Sequence, residues 1–166
     1  MEYRATVIEF ARRLINKEFS NGNEDHAAAI IEAMLLTARG SYKMYTGNFG
    51  CDFFGRSDIT SALEDFFQRD AFPTIKILVE KGVDKSLIQE HPWIKIATRH
   101  GRTIDVRNAK GNYATSEPKH FSVVDRTGYR YEHNRDVQAI ANFYDPKIAT
   151  KLDKIFEEAF AYGEQV

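Results

Sequence analysis

The run Thr-Ile-Lys-Ile-Leu-Val at residues 74–79 constrains the fold of this 166-residue chain more than any other stretch. β-Branched and apolar residues dominate it, and Pro73 and Gly82 bound it, which is typical of a buried strand. Helical spacing precedes it over Ser61 to Arg69 and follows it over Lys85 to Gln89. Because strands alternate with helices, the sequence predicts an α/β protein with a mixed sheet and helices on its faces.

Other strands and helices follow from similar patterns. Ser61 and Glu64 have capping-box spacing at the start of the first helix named above. Asp145 and Pro146 are typical of the first residues of a closing helix that runs to about Tyr162. Further strands are predicted over Tyr42 to Thr46, Trp93 to Ala97, Thr103 to Val106 and Val137 to Phe143, and a hairpin over Phe121 to Tyr131 with its turn at Asp125 to Gly128.

Residues 1–40 differ from the rest because apolar residues recur there at helical spacing only. Asn23 is a plausible N-cap of the second of two helices, and Gly40 is a plausible residue just past its end. We therefore expect an N-terminal helical pair over residues 1–40, followed by an α/β domain over residues 41–166.

Overall charge and cysteine content exclude several classes of protein. Lys and Arg number 23 against 24 Asp and Glu, so the net charge of −1 gives no general affinity for nucleic acid or anionic membranes. Cys51 is the single cysteine, and no two histidines have metal-ligand spacing, so we predict neither a metal nor a cofactor. Residues 1–13 do not resemble a secretory signal, and the apolar stretch at 27–36 is too short for a membrane span. The expected location is the cytoplasm, with no membrane contact.

Charge is nevertheless uneven along the chain. The segment from Lys95 to His120 holds six cations and two acids, a balance of +4, whereas the rest sums to −5. Such a segment, interleaved with aromatic residues, is typical of a surface that follows a phosphate backbone. It is equally typical of a solvated strand edge. The candidate phosphate- or nucleic-acid-binding cations are Lys95, Arg99, Arg102, Arg107, Lys110 and Lys119.

A loop of three glycines and three phenylalanines, residues 46–55, leaves the end of the first predicted strand, where ligands of open α/β sheets usually bind. It has the spacing of neither a P-loop nor a dinucleotide fingerprint. We expect its Phe side chains to plug the end of the sheet.

Three polar residues stand out in the C-terminal half. His120 opens the predicted hairpin, Ser122 follows on the same face of the strand, and Asn142 lies on the last strand, so the three could meet at one end of the sheet. This arrangement resembles the phospholipase D superfamily, whose active members carry His-x-Lys-x4-Asp, then a Gly-Ser pair and Asn-Phe. The resemblance extends over residues 41–162 and implies one phospholipase D-like unit.

The resemblance implies a catalytic nucleophile at His120 and a phosphate ligand at Asn142. Ser122 stands where the family has Lys, and loss of that cation removes electrostatic stabilisation that phosphoryl transfer requires. Active members also combine two motifs, so catalysis by this chain would require a homodimer. The motif departs further at Thr127, which takes the place of its Asp, and at Ala139 and Ile140, which replace the Gly-Ser pair.

The predicted function is a degenerate, non-catalytic phospholipase D-like module that binds a phosphate-bearing ligand (nucleic acid or nucleotide) or a protein partner. One alternative is a phosphodiesterase or nuclease that acts as a homodimer with His120 as nucleophile. Another is a small phage or defence-system interaction factor, which fits the size and charge but rests on no motif.

Overall fold

A computed structural model describes residues 2–69, 73–114, 120–133 and 138–166. The helices are α1 (Tyr3–Arg12), α2 (Glu24–Thr37), α3 (Cys51–Phe54), α4 (Ser57–Arg69), α5 (Lys85–Glu90), α6 (Pro92–Arg99) and α7 (Pro146–Tyr162), with a 3-10 turn at Gly111–Ala114. The strands are β1 (Phe19–Asn21), β2 (Ser41–Thr46), β3 (Thr74–Val79), β4 (Ile104–Asn108), β5 (Phe121–Val124), β6 (Gly128–Glu132), β7 (Ala139–Asn142) and β8 (Glu164–Gln165).

These strands form one mixed sheet in the order β1-β7-β6-β5-β2-β3-β4-β8. The central strands β2, β3 and β4 are parallel, and the remaining pairs are antiparallel. Helices α1, α2, α4 and α6 contribute to the apolar core on one face, and α7 covers the other. The predicted mixed α/β architecture is therefore confirmed.

The N-terminal region joins the sheet directly. β1 pairs antiparallel with β7, so it forms an edge of the sheet. The side chain of Asn23 accepts a hydrogen bond from the backbone of His26, which confirms Asn23 as the N-cap of α2. The division of the chain at residue 40 remains a prediction.

Residues 93–97 form part of helix α6, so the prediction of a strand there is wrong. Trp93, Ile96 and Ala97 are the buried residues of this helix, and their spacing is helical. His91 caps the helix by accepting a hydrogen bond from the Trp93 N–H at 3.1 Å, and Pro92 occupies the first turn. A five-residue window was too short to distinguish the two periodicities.

Two predicted helix ends are also wrong. α4 begins at Ser57, so Ser61 lies one turn inside the helix and does not cap it with Glu64. α2 ends before Ala38, and the Arg69 guanidinium donates to carbonyl oxygens in its last turn. The Gly40 N–H donates instead to the Asp125 carboxylate at 3.0 Å.

Buried charges attach α7 to the centre of the sheet. Lys43 on β2 contacts Asp153 and lies 2.8 Å from a carboxylate oxygen of Glu157. Arg126 donates to Asp153 at 2.8 Å, and Lys76 on β3 contacts Glu157 at 3.0 Å. We call these five residues the α7-face network.

Within the described ranges, no helix has the length and apolar character needed to cross a membrane.

Candidate functional site

His120 lies immediately before β5 in an unusual backbone conformation. Its φ of 55° is in the left-handed region, which few residues other than glycine adopt. Its carbonyl accepts the Glu132 N–H at 3.1 Å, so the hairpin holds the two residues side by side. A non-glycine residue held in this conformation costs on the order of 1 kcal/mol, so the surrounding hairpin must hold His120 in place.

Both nitrogens of the His120 imidazole contact carboxylates. Nδ1 lies 3.1 Å from Glu132 Oε2, and Nε2 lies 2.7 Å from Glu80 Oε2. The hydrogen bond with Glu132, together with that from Glu80, raises the pKa of His120 against the opposing effect of burial. The arrangement favours an imidazolium that donates from both nitrogens.

Arg130 lies beside this pair on β6, directly across from Ser122. One of its terminal nitrogens contacts Glu132 Oε1 at 2.9 Å. Its Nε is buried and has no hydrogen-bond partner within the described part of the chain. Burial would raise the pKa of Glu132, but the hydrogen bond with His120 and the charge of Arg130 outweigh it and lower that pKa.

Ser122 is buried, and its hydroxyl lies 3.2 Å from that of Tyr42. Ser122 carries no charge, so the position at which the resemblance implies a lysine has no cation. The guanidinium of Arg130, on the neighbouring strand, is the cation beside it. The sheet thus supplies a positive group from a different point in the sequence.

Gly47 follows β2 and packs against the His120 ring. A Cβ at this position would lie 2.6 Å from His120 Nε2 and 2.7 Å from Cε1, closer than unbonded atoms approach. The close contact therefore requires glycine while the ring keeps its place.

These side chains border a cavity of about 670 Å³, within the range of small-molecule sites. His120, Ser122, Arg130 and Glu132 contribute charge and hydrogen-bonding groups from the sheet, and Lys81 adds a further cation. Apolar groups line the rest, contributed by Ala27 and Ile31 of α2, Phe53 and Phe54 of α3, and Leu87 of α5. Glu24 and Asp52 add carboxylates to the lining, so an anionic group fits beside His120 and Arg130, and an apolar body fits the rest of the wall.

Asn142 does not join this site, so the expected convergence of the three polar residues is wrong. It pairs with Tyr129, which packs on the α7 face, whereas Arg130 and Ser122 point to the other. The Asn142 amide donates to Asn16 at 2.8 Å and accepts the Tyr144 N–H at 2.9 Å. The register also places it about 10 Å along the strands from Glu132.

The cations of the basic segment do not form one surface. Lys95 and Arg99 lie on α6, whereas the Arg107 guanidinium lies 4.4 Å from the ring centre of Phe160 on α7, across the sheet. Arg102 lies between α6 and β4, and Lys119 is outside the described residues. Four of these cations have acidic partners: Lys95 with Glu90, Arg99 with Glu64, Arg107 with Asp105, and Lys110 with Glu164.

The Phe-rich loop at residues 46–55 is partly buried and also lines the cavity, so its expected role as a plug of the sheet end remains a prediction. Phe49 and Phe54 are buried, and the Phe49 ring stacks on His91 with 3.8 Å between centroids. Burial lowers the pKa of His91 to about 4. Cys51 is exposed at the cavity. Among the described residues, no group of three or more His, Cys, Asp and Glu side chains could hold a metal ion.

Sequence reasoning missed four residues of this site. The hairpin register pairs Val124 with Gly128, and counting outward along it places Arg130 across from Ser122 and Glu132 beside His120. That signal was present in the sequence. Glu80 and Gly47 come from the ends of two parallel strands, and their approach to His120 depends on the order of strands in the sheet.

A family model described as a domain of unknown function, DUF7931, matches residues 23–166. No curated protein matches the chain.

Solved structures match most of the chain at low sequence identity. Nuc from Salmonella typhimurium, a phospholipase D family member, has a TM-score of 0.56 and 15% identity, covering 90% of this chain and 99% of Nuc. NucT from Helicobacter pylori has a TM-score of 0.60 and 14% identity, covering 92% and 99%. TrmBL2, an archaeal chromatin protein with a novel mode of DNA binding, has a TM-score of 0.60 and 13% identity, covering 98% of this chain and 60% of that one. The match with Nuc confirms the expected phospholipase D-like fold.

Proposed function

Because the chain belongs to the DUF7931 family and has a phospholipase D-like fold, we propose that it is a module that binds a phosphate-bearing ligand without cleaving it. The ligand's phosphate would lie in the cavity against His120 and Arg130. The observation that carries the proposal is the position of Arg130 and His120 together on the cavity wall, where the buried Arg130 Nε also has no partner among the described residues. A buried donor is normally satisfied, and an anionic oxygen suits a guanidinium best.

The lack of cleavage follows from the state of His120. A nucleophilic histidine attacks through a neutral nitrogen with a free lone pair. Here a carboxylate contacts each nitrogen, so each nitrogen is held as a hydrogen-bond donor and neither lone pair is free, and the two contacts raise the pKa of the ring.

Calorimetric titration with phenyl phosphate, together with a cleavage assay on bis(p-nitrophenyl) phosphate, tests both parts of the proposal. We expect binding by the wild-type protein, a loss of at least tenfold in affinity for Arg130→Gln, and no turnover. Arg126→Gln is the matched control, because Arg126 lies on the same hairpin but donates to Asp153 on the other face. Equal affinities of wild type and Arg130→Gln would contradict the proposal.

A phosphodiesterase that acts as a homodimer is the second candidate. The observation in its favour is the contact between His120 Nδ1 and Glu132, the kind of carboxylate contact that orients a catalytic histidine. This candidate requires turnover that disappears in His120→Ala, and a dimer by light scattering. Turnover that survives His120→Ala, or a monomer, would exclude it.

Nucleic acid is the second candidate ligand, supported by the fold shared with the chromatin protein TrmBL2. The paired state of Lys95, Arg99, Arg107 and Lys110 makes these cations less available to a phosphate backbone. Binding that follows a phosphate backbone weakens steeply with salt. A titration of single- and double-stranded DNA and RNA at two salt concentrations therefore separates this candidate from a compact ligand.

A further inference from the structure

Glu80 reaches the site from the end of β3, which is not part of the β5–β6 hairpin. It follows β3, and its N–H donates at 2.9 Å to the carbonyl of Thr46, the last residue of β2. This places its carboxylate 2.7 Å from His120 Nε2. Since Glu132 engages Nδ1, a carboxylate of the protein occupies the remaining donor of the ring.

A ligand phosphate that accepts a hydrogen bond from His120 Nε2 must displace the carboxylate of Glu80. A phosphodiester carries one negative charge, the same as the carboxylate that it would replace, so it gains little from the exchange. A phosphomonoester carries about −1.5 to −2 charges at neutral pH and has three acceptor oxygens. It can approach His120 and the guanidinium of Arg130 together, both of which line the cavity, and gains more from both cations.

We propose that Glu80 makes the cavity selective for terminal phosphomonoesters over phosphodiesters, an inference that rests on the proposed phosphate-binding function. Glu80 competes with the ligand for His120 Nε2. Because Glu80 carries one negative charge, a ligand must carry more than one to displace it favourably. Lys81, which follows Glu80 in sequence and lines the cavity, adds a cation that also favours the more highly charged ligand.

The apolar part of the cavity indicates what the phosphate is attached to. Leu87 is 56% exposed at the cavity, and Phe53 is only partly buried on α3. Contact with a ligand would remove both from water, which favours an aromatic or aliphatic body. Phenyl phosphate and methyl phenyl phosphate share such a body and differ in the charge of the phosphate.

Titration of both esters by calorimetry tests the inference. We expect the wild-type protein to bind phenyl phosphate at least tenfold more tightly than methyl phenyl phosphate. Glu80→Gln removes the competing charge, so the diester should gain the most and the ratio should fall to about threefold or less. Glu64→Gln is the matched control, because Glu64 contacts the ring of His100 in the same way but His100, unlike His120, does not line the cavity, and the ratio should stay at its wild-type value.

Each outcome decides between the two proposals. If both esters bind and the ratio is the same in wild type and Glu80→Gln, the selectivity proposal is overturned while phosphate binding stands. If wild type binds neither ester but Glu80→Gln binds both, Glu80 excludes both esters alike, so the selectivity proposal is overturned and the proposed function fails for the wild-type protein. If neither protein binds either ester while circular dichroism shows both folded, the proposed function and this inference both fail.

Discussion

On one face of the sheet, Lys43 lies between Asp153 and Glu157 beneath the 17-residue helix α7. On the opposite face, Arg130 and His120 lie beside Glu132 and border an open cavity. Both sets combine cations with carboxylates. Helix α7 covers the first set, whereas the second set borders a cavity, and we infer different roles from this difference.

Helix α7 carries the two carboxylates of the α7-face network, which pair with cations of the sheet and the hairpin. Asp153 is 4% exposed and receives both Lys43 and Arg126, so its carboxylate has partners on two sides. The cavity face instead leaves Arg130 Nε without a partner among the described residues. A complete network holds the fold together, whereas an incomplete one beside open space is suited to a ligand.

The largest effect should come from breaking the α7-face network. Lys43→Met removes the buried cation between Asp153 and Glu157 and leaves them only Arg126 and Lys76 among the described residues, so we expect a loss of about 3 kcal/mol in the free energy of unfolding. Lys76→Met is the matched control on the neighbouring strand, since its partner Glu157 is partly solvated, and it should cost about 1 kcal/mol or less. Urea denaturation measures both. Equal losses would mean that burial by α7 does not distinguish the two lysines.

Substitution of Gly47 should affect stability less than Lys43→Met does, but it should affect ligand binding more. Gly47→Ala places a methyl group against His120 Nε2, so the ring must move away from Glu80. We expect the affinity for phenyl phosphate to fall at least tenfold. Gly22→Ala is the control, because Gly22 does not line the cavity and a Cβ there meets nothing within 4 Å, so the affinity should be unchanged. Wild-type affinity in Gly47→Ala would contradict the described packing.

The pH dependences of two histidines should have opposite signs. The pKa of His120 is raised above 6.5, so its stabilisation is complete below about pH 6.5 and disappears as pH rises through the folded-state value. Burial lowers the pKa of His91 from 6.5 to about 4, so its contribution is present above pH 6.5 and disappears as pH falls toward 4. That change amounts to at most about 3 kcal/mol.

Unfolding free energies of wild type, His120→Gln and His91→Gln from pH 4 to pH 9 separate the two histidines. The difference between wild type and His120→Gln should shrink on the alkaline side, and that between wild type and His91→Gln on the acidic side. Differences that change in the same direction would show that one of the two environments is misassigned.

Local pattern was sufficient to predict the strongest elements of the fold. The β-branched run 74–79, the hairpin and the closing helix with its Asp145 cap all appear where the sequence indicates them. Strands β8 and β1 were missed because they are two and three residues long. Segments this short show no periodicity in the sequence and are defined only by the strands with which they pair.

The site was predictable only in part. His120 was found from its position at the start of a strand, and Arg130 and Glu132 follow from the hairpin register. The position of Asn142 was not found, since the register of β7 against β6 determines its face and no turn residue fixes that register. Glu80 depends on β3 lying next to β2, a long-range pairing on which local sequence carries no information.

The protonation state of His120 tests the central claim most directly, because the claim requires a charged imidazole that donates to an anion. Nitrogen-15 NMR of the imidazole at pH 7 should show both Nδ1 and Nε2 protonated. Addition of phenyl phosphate should shift the Nε2 resonance, as Glu80 gives way to the phosphate, and leave Nδ1 nearly unchanged. A neutral ring at pH 7, or an Nε2 resonance that does not respond to millimolar phenyl phosphate, would contradict the account.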